Sequence, residues 1–132
     1  MTDDHKAIVD LAVAYAQAVD AGDFAELRRV FTPNATAQLG GTGQRSIDEI
    51  CERLQVALGR FERWEHHLAD HEVEIAGDQA TARCTVTAHH VRPAGELPSV
   101  YTIVGTYEDQ LTRTELGWRI AHRSLVVSHR EG

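Results

Sequence analysis

The sequence predicts an α+β fold, in which helices come first and long antiparallel strands follow. The first half of the chain has three segments with helical signals, and the second half has four long runs in which apolar and polar residues alternate. This order is typical of folds whose helices collect on one face of a sheet. With 132 residues, we expect a single domain that spans residues 1–132.

The first helix is predicted from Asp3 to about Asp20. Its apolar side chains recur at three- and four-residue spacing, namely Ile8, Leu11, Ala12, Tyr15 and Val19. A second, short helix begins at Asp23, whose carboxylate can cap the backbone while Glu26 lies three positions on. We expect Pro33 to stop this helix.

A short strand, a glycine-rich turn and a third helix follow. The strand is predicted from Asn34 to Leu39, and the turn from Gly40 to Gly43 lacks the Gly-Lys-Ser/Thr ending of a phosphate loop. The third helix is predicted from Ser46 to about Phe61, because Ser46 and Glu49 have the spacing of a capping box before an apolar stripe.

Residues 64–91 are predicted to form one long β-hairpin, with Gly77-Asp78 as its turn. A two-residue loop places Ile75 opposite Ala80 and His67 opposite Ala88, with His90 diagonal to His67. Because side chains alternate along a strand, His67 and His90 project from the same sheet face, which is otherwise largely apolar. A bulge would change the register and bring His89 to this face in place of His90.

Two further strands, residues 100–111 and 117–128, complete the predicted sheet. A curled sheet with helices across its concave side encloses an apolar cleft, and such a cleft is where a ligand would bind.

Composition excludes several classes of partner. The formal charge of −7 argues against binding to nucleic acid or to anionic membranes, which depends on Lys and Arg. No apolar run approaches the length of a membrane span, and the acidic start of the sequence lacks a signal core, so we expect a cytoplasmic protein. Cys51 and Cys84 are interpreted as free buried thiols.

Three polar residues on this framework are candidates for acid–base chemistry. Tyr15 belongs to the inward stripe of the first helix, and Asp20 lies at its end, where a carboxylate is unfavourable with the helix dipole. Asp20 could simply stabilise the turn that follows, Asp20-Ala21-Gly22-Asp23, through its side chain. Alternatively, it could orient His67 by binding one ring nitrogen, which makes the other nitrogen a better base. His67 could equally be a hydrogen-bonded core residue.

Arg123 and the histidines raise two further questions. An inward Arg123 without a carboxylate partner would indicate a site for an anion or a leaving group, whereas an outward Arg123 would be solvated. His67 and His71 share a strand face but lie about 13 Å apart, too far for one metal ion. A site that joins His67 and His90 across the hairpin is the alternative for a metal, but we expect neither a functional metal nor a cofactor.

Several segments resemble the SnoaL-like branch of the nuclear transport factor two-like superfamily. They are Tyr15 to Leu27, the His66-His67 strand, Gly77 to Ala82, Gly105 to Asp109 and Gly117 to Arg119, which together span nearly the whole chain. The resemblance implies a cone-shaped fold, a strongly bent antiparallel sheet with three helices that close a pocket. Within the superfamily, the pattern is most similar to scytalone dehydratase, bile-acid dehydratase and hexachlorocyclohexane dehydrochlorinase.

The resemblance implies catalytic roles for Asp20 and His67 as an aspartate–histidine pair, with Tyr15, His90 and Arg123 at further positions of the site. The second tyrosine region of scytalone dehydratase is not recognisable. The catalytic aspartate of ketosteroid isomerase would fall near Leu39, so that activity is not expected.

These observations predict a cofactor-independent lyase that eliminates water or a similar leaving group from a small, mostly apolar cyclic or aromatic substrate. The alternatives are a polyketide cyclase or isomerase that uses the same base, and a non-catalytic module that binds a small ligand or dimerises. A homo-oligomer, a trimer or a dimer, is expected from the resemblance and from the long sheet face that needs covering.

Overall fold

The helices precede the long strands, as the order of patterns predicts. The computed structural model describes residues 2–132. It contains two α-helices, one 3₁₀ helix and six strands: α1 (Asp3–Asp20), the 3₁₀ helix (Phe24–Arg29), β1 (Phe31–Leu39), β2 (Thr42–Gln44), α2 (Ile47–Leu58), β3 (Arg63–Ala76), β4 (Gln79–Val91), β5 (Val100–Thr114) and β6 (Gly117–Glu131). The predicted α+β fold is confirmed.

All six strands form one curved sheet in the order β2-β1-β6-β5-β4-β3. The neighbouring strands are antiparallel except for β1 and β6, which run parallel. The sheet is therefore mixed, whereas the sequence predicted an antiparallel one. Because α2 and the whole β3–β5 meander separate β1 from β6 along the chain, no hairpin turn sets their relative direction.

Of the two predicted N-caps, Ser46 makes its side-chain hydrogen bond and Asp23 does not, and α2 ends at Leu58 rather than near Phe61. Ser46 caps α2 by accepting a hydrogen bond from the backbone N–H of Glu49 at 3.2 Å. The second helix is a 3₁₀ segment that ends at Arg29, and Pro33 lies inside β1 rather than at the end of a helix. The pairing of β1 with β6 is interrupted between Phe31 and Thr36, so Pro33 occupies a place where its missing N–H is not needed.

The hairpin of β3 and β4 begins in the predicted register. Gly77 has a φ of 64°, as the tight turn requires, and Ile75 pairs with Ala80 and Val73 with Ala82. The register then shifts between Ala69 and Glu72, where β3 carries one extra residue. Asp70 lies in this bulge with a φ of 55°, in the left-handed region that aspartate tolerates better than most residues.

The bulge reverses the predicted orientation of the first half of β3. His66 lies opposite Ala88, and His67 lies opposite Thr87. The prediction that His67 faces the interior is therefore wrong, because one extra residue moves every preceding side chain to the other face. The bulge is in β3 and not in β4, so His90 keeps the predicted inward orientation, with 5% of its surface exposed.

The core lies between the inner face of the sheet and the two α-helices. Its largest fully buried apolar side chains come from α1, the 3₁₀ helix, α2 and the strands, and include Tyr15, Leu27, Phe31, Ile50, Leu111 and Ile120. Cys84 is buried and Cys51 is half-buried, and both are free thiols. Within residues 2–132, no helix combines the length and the hydropathy that crossing a membrane requires.

Candidate active site

The end of α1 is tied to the start of β3 by three hydrogen bonds. Asp20, the last residue of α1, accepts one from His66 Nδ1 through Oδ1 at 2.7 Å and one from the His66 backbone N–H through Oδ2 at 3.1 Å. Trp64, two residues earlier on the same face of β3, donates from Nε1 to the Val19 carbonyl at 2.7 Å. This arrangement accounts for a carboxylate at the unfavourable end of a helix dipole.

The hydrogen bonds of His66 determine its tautomer. A carboxylate only accepts, so Nδ1 of His66 carries the proton and its Nε2 presents a lone pair in the neutral ring. The His66 side chain is 7% exposed. Burial lowers the pKa of His66 below 6.5, although the Asp20 carboxylate opposes this shift. The ring is therefore neutral at neutral pH and can act as a base through Nε2.

His67 lies on the opposite, outer face of β3. Its side chain is 61% exposed, and its Nε2 is 3.3 Å from Glu65 Oε1. The ring centroid is 5.8 Å from that of His89, which also faces outward. The predicted pair of Asp20 with His67 is thus replaced by a pair of Asp20 with the adjacent His66.

His90 shares the inner face with His66. Its Nδ1 donates to the Tyr101 carbonyl at 2.9 Å, so Nε2 again carries the free lone pair. The ring lies 4.8 Å from Phe61 and 6.2 Å from His66, measured between centroids. Burial also lowers the pKa of His90. Two neutral imidazoles therefore face the same space as hydrogen-bond acceptors.

Tyr15 and Tyr107 lie side by side on the inner surface, with ring centroids 5.5 Å apart in an edge-to-face arrangement. Burial raises the pKa of both hydroxyls, so both remain protonated and able to donate at neutral pH. Tyr15 was predicted as a site residue from its place on α1. Tyr107 was not predicted as a site residue. The alternation along β5, which places it on the inner face with Tyr101 and Asp109, is the signal that could have found it.

Arg123 is inward and fully buried, but it is not free to bind an anion. Its Nε and Nη2 donate to the two carboxylate oxygens of Asp109 at 2.7 and 2.8 Å. Its Cζ lies 4.4 Å from the ring centroid of Tyr15 and 4.0 Å from that of Tyr107. The sequence argument required an arginine without a carboxylate partner, so the predicted leaving-group site at Arg123 is corrected to a buried ion pair that supports the two tyrosines.

These side chains surround a cavity of about 200 Å³ between the sheet, α1 and α2. His66, His90, Tyr15 and Tyr107 line it, together with mostly apolar residues that include Leu54, Leu58, Phe61, Val86, Ala88, Ile103 and Leu125. A larger depression of about 560 Å³ on the outer face, near Glu72, Glu108 and His122, contains no member of the His66–Asp20 pair. Within residues 2–132, no cluster of three or more His, Cys, Asp or Glu side chains is placed to hold a metal ion.

A SnoaL-like domain model matches residues 1–124, nearly the whole chain. The chain belongs to the SnoaL-like family. This SnoaL-like domain is 35% identical over 123 residues to the uncharacterised protein Rv2910c of Mycobacterium tuberculosis, in an alignment that covers 91% of the chain and 82% of the relative.

Solved structures share the fold of this SnoaL-like domain. The Kfla4162 protein from Kribbella flavida is 30% identical with a TM-score of 0.91, and a candidate aromatic ring hydroxylase from Novosphingobium aromaticivorans is 29% identical with a TM-score of 0.87. Each alignment covers 98% of this chain and 93% of the other.

More distant structures share the same fold. A candidate scytalone dehydratase from Novosphingobium aromaticivorans is 21% identical over 96% of this chain and 85% of its own, with a TM-score of 0.84. A hexachlorocyclohexane dehydrochlorinase (LinA), 15% identical over 96% of this chain and 86% of its own, also has a TM-score of 0.84.

Proposed function

We propose that this SnoaL-like domain is a cofactor-independent lyase of the dehydratase type, with His66 as its base. The observation that carries the proposal is the Asp20 carboxylate 2.7 Å from His66 Nδ1, with the other ring nitrogen free beside a largely apolar cavity. An apolar cavity of about 150 Å³ can admit a benzene ring. A small, mostly apolar cyclic substrate therefore fits the space of about 200 Å³.

In the proposed reaction, Nε2 of His66 takes a carbon-bound proton from the substrate. The electron pair of that C–H bond forms the new C=C bond, and the C–O bond to the neighbouring hydroxyl breaks. The departing oxygen takes a proton from the Tyr15 hydroxyl and leaves as water, and the proton held by the His66 imidazolium is then released to restore the neutral tyrosine. Asp20 keeps the ring oriented and stabilises the imidazolium that forms, in the manner of a carboxylate–histidine pair.

Tyr15 and His90 also line the cavity, one as a hydrogen-bond donor and the other as an acceptor. Tyr15 is a neutral hydroxyl that can hydrogen-bond a substrate carbonyl or protonate the departing oxygen. His90 has its N–H engaged with the Tyr101 carbonyl, so in its neutral form it accepts a hydrogen bond and positions a substrate hydroxyl. Arg123 acts indirectly, through the rings of Tyr15 and Tyr107.

Cyclisation or isomerisation would begin with the same proton abstraction, so the product distinguishes these reactions from elimination. A purely binding module would not need Asp20 to reach a histidine beside the cavity. The two hydrogen bonds from His66 to Asp20 favour catalysis over that alternative.

The adjacent histidines provide a matched test of the base. The probe is 3-hydroxycyclohexanone, whose dehydration to the conjugated enone is followed by ultraviolet absorbance. We expect His66→Asn to reduce the dehydration rate by about 10²- to 10⁴-fold, the usual contribution of a positioned base. We expect His67→Asn, on the outer face, to leave the rate unchanged.

Circular dichroism establishes that both variants are folded. Equal rates for the two variants, or a rate loss confined to His67→Asn, would contradict the assignment. Dehydration that is no faster with the unsubstituted protein than without it would contradict the proposed lyase activity.

A further inference from the structure

Three arginines line the cavity that contains His66 and His90. They are Arg53 on α2, Arg60 just after α2 and Arg130 near the end of β6, and the cavity wall within residues 2–132 includes no aspartate or glutamate. This concentration of positive charge occurs in a protein whose formal net charge is −7. Charge of one sign around a cleft attracts ligands of the opposite sign.

None of these three arginines belongs to an ion pair of the described residues. Other arginines do have carboxylate partners, such as Arg28 with Asp48, Arg83 with Glu72 and Arg113 with Asp4. Glu96 shares an adjoining depression with Arg60 and Arg92, and it takes part in no ion pair within residues 2–132. The guanidinium groups at the cavity are therefore available to an anion from outside the protein.

Each guanidinium group has an aromatic or backbone neighbour that leaves most of its N–H groups free. Arg130 donates from Nε to the Tyr101 hydroxyl at 3.1 Å, which leaves its two terminal nitrogens free. Arg53 Nη2 lies 3.4 Å from the Gly40 carbonyl. Arg60 lies with its Cζ 5.9 Å from the ring centroid of Phe61, a residue that also lines the cavity. Planar guanidinium groups of this kind suit the two oxygens of a carboxylate.

The buried part of the cavity wall has the opposite character, since the His66 and His90 side chains are nearly inaccessible whereas Arg60 and Arg130 are exposed. His66 and His90 present lone pairs there, which repel an anion and accept hydrogen bonds from hydroxyl groups. A ligand with both an anionic group and an apolar ring would thus bind in one orientation, with the ring between the histidines and the arginines.

We infer that the substrate of this cavity is a cyclic carboxylate, whose ring occupies the apolar interior and whose carboxylate binds Arg60 and Arg130. This inference rests on the proposed function in placing the substrate beside His66. It adds a charged contact that strengthens binding relative to a neutral ring of the same shape, which can still enter the cavity without that contact.

The test compares two probes of nearly the same shape, 4-ethylbenzoate and 4-ethylbenzamide, titrated into the full chain and followed by NMR chemical shifts. We expect the carboxylate to bind about tenfold more tightly than the amide, as one charge-assisted contact allows. The preference should shrink at about 0.5 M NaCl, because salt screens exposed charges.

Two sets of variants test which arginines cause the preference for the carboxylate over the amide. The double substitution Arg60→Gln with Arg130→Gln should bring the two probes to nearly equal affinity. Arg63→Gln is the matched control. Arg63 lies outside this cavity, is exposed, and forms no ion pair with the described residues. This control should retain the tenfold preference.

Equal affinity for the two probes, no binding of 4-ethylbenzoate, or a preference that survives the double substitution would overturn the inference. Binding does not require turnover, so any of these results would leave the assignment of His66 as a base to be judged by its own rate measurement.

Discussion

His66 and His67 are adjacent and chemically identical, yet only His66 has the surroundings of a base. The Asp20 carboxylate binds both the ring and the backbone N–H of His66, and burial keeps the pKa of the ring below 6.5. His67 meets solvent and the Glu65 carboxylate instead. Residue type alone therefore does not identify the base; its hydrogen-bond partner and burial do.

The lowered pKa of His66 predicts how activity depends on pH. Because the neutral ring is the active form, kcat/KM should be level at neutral pH and fall on acidification, at a lower pH than an unperturbed histidine would give. Asp20→Asn removes the group that raises the pKa of His66, so the acidic limb should move to still lower pH while the plateau rate drops about 10²-fold or more.

The measurement is a pH–rate profile, with an NMR titration of the His66 ring as an independent readout. Asp23→Asn, in the same turn but without a side-chain cap hydrogen bond, is the control and should leave the profile unchanged. An acidic limb that moves upward in Asp20→Asn would refute the role given to Asp20.

At the level of secondary structure elements, the bulge in β3 decides which side chains enter the cavity. From the turn to Glu72, the register of β3 on β4 is the one that alternation predicts. Before the bulge it is displaced by one residue, which brings Trp64, His66 and Leu68 to the inner face. The two inner-face hydrogen bonds to the end of α1, from the Trp64 and His66 side chains, exist only in this displaced register.

Backbone strain at the bulge can be tested at Asp70, which is exposed and has a φ of 55°. Asp70→Val should lower the free energy of unfolding by about 1–2 kcal/mol, because a β-branched residue fits the left-handed region poorly. Asp70→Gly should change it by less than about 1 kcal/mol, since glycine adopts this region readily. Urea denaturation measures both changes.

The matched control for this test is Glu74→Val, at an exposed position of regular β3, which should not destabilise the protein. If the Asp70→Val and Asp70→Gly variants proved equally stable, strain at the bulge would be excluded.

For the whole molecule, the buried ion pair of Arg123 and Asp109 matters both for the stability of the fold and for the tyrosines that line the cavity. Both side chains are nearly inaccessible, with 0% and 4% exposure, and the guanidinium supports the rings of Tyr15 and Tyr107. A charge in this position is tolerated only while its partner is present. The ion pair therefore belongs to the architecture of the core beneath the tyrosines rather than to substrate binding.

Removing one partner of the Arg123–Asp109 ion pair should lower the free energy of unfolding far more than removing both. We expect Asp109→Ala to lower the free energy of unfolding by about 3–5 kcal/mol, because it leaves Arg123 buried and unpaired. The double substitution Arg123→Met with Asp109→Leu should cost less than Asp109→Ala alone. Asp78→Asn removes an exposed partner of Arg113 and should cost at most about 1 kcal/mol. If urea denaturation gave similar losses for Asp109→Ala and Asp78→Asn, the buried pair would not have the importance assigned to it.

Much of this protein follows from local sequence. Apolar spacing placed α1 and α2, Ser46 marked the start of α2, and Gly77-Asp78 marked the turn of the long hairpin. The types of residue suited to acid–base chemistry, and the place of Asp20 at the end of a helix, were also evident. Each of these features depends on residues that are close together along the chain.

Only the tertiary structure decided that His66 and not His67 meets Asp20, that Asp109 neutralises Arg123, and that Arg60 and Arg130 gather at one cavity. The first outcome depends on a single extra residue at Asp70, since a one-residue displacement turns every side chain of a strand to the other face. The other two depend on strands and helices that are distant in sequence and become neighbours only when the sheet curves and α2 packs against it.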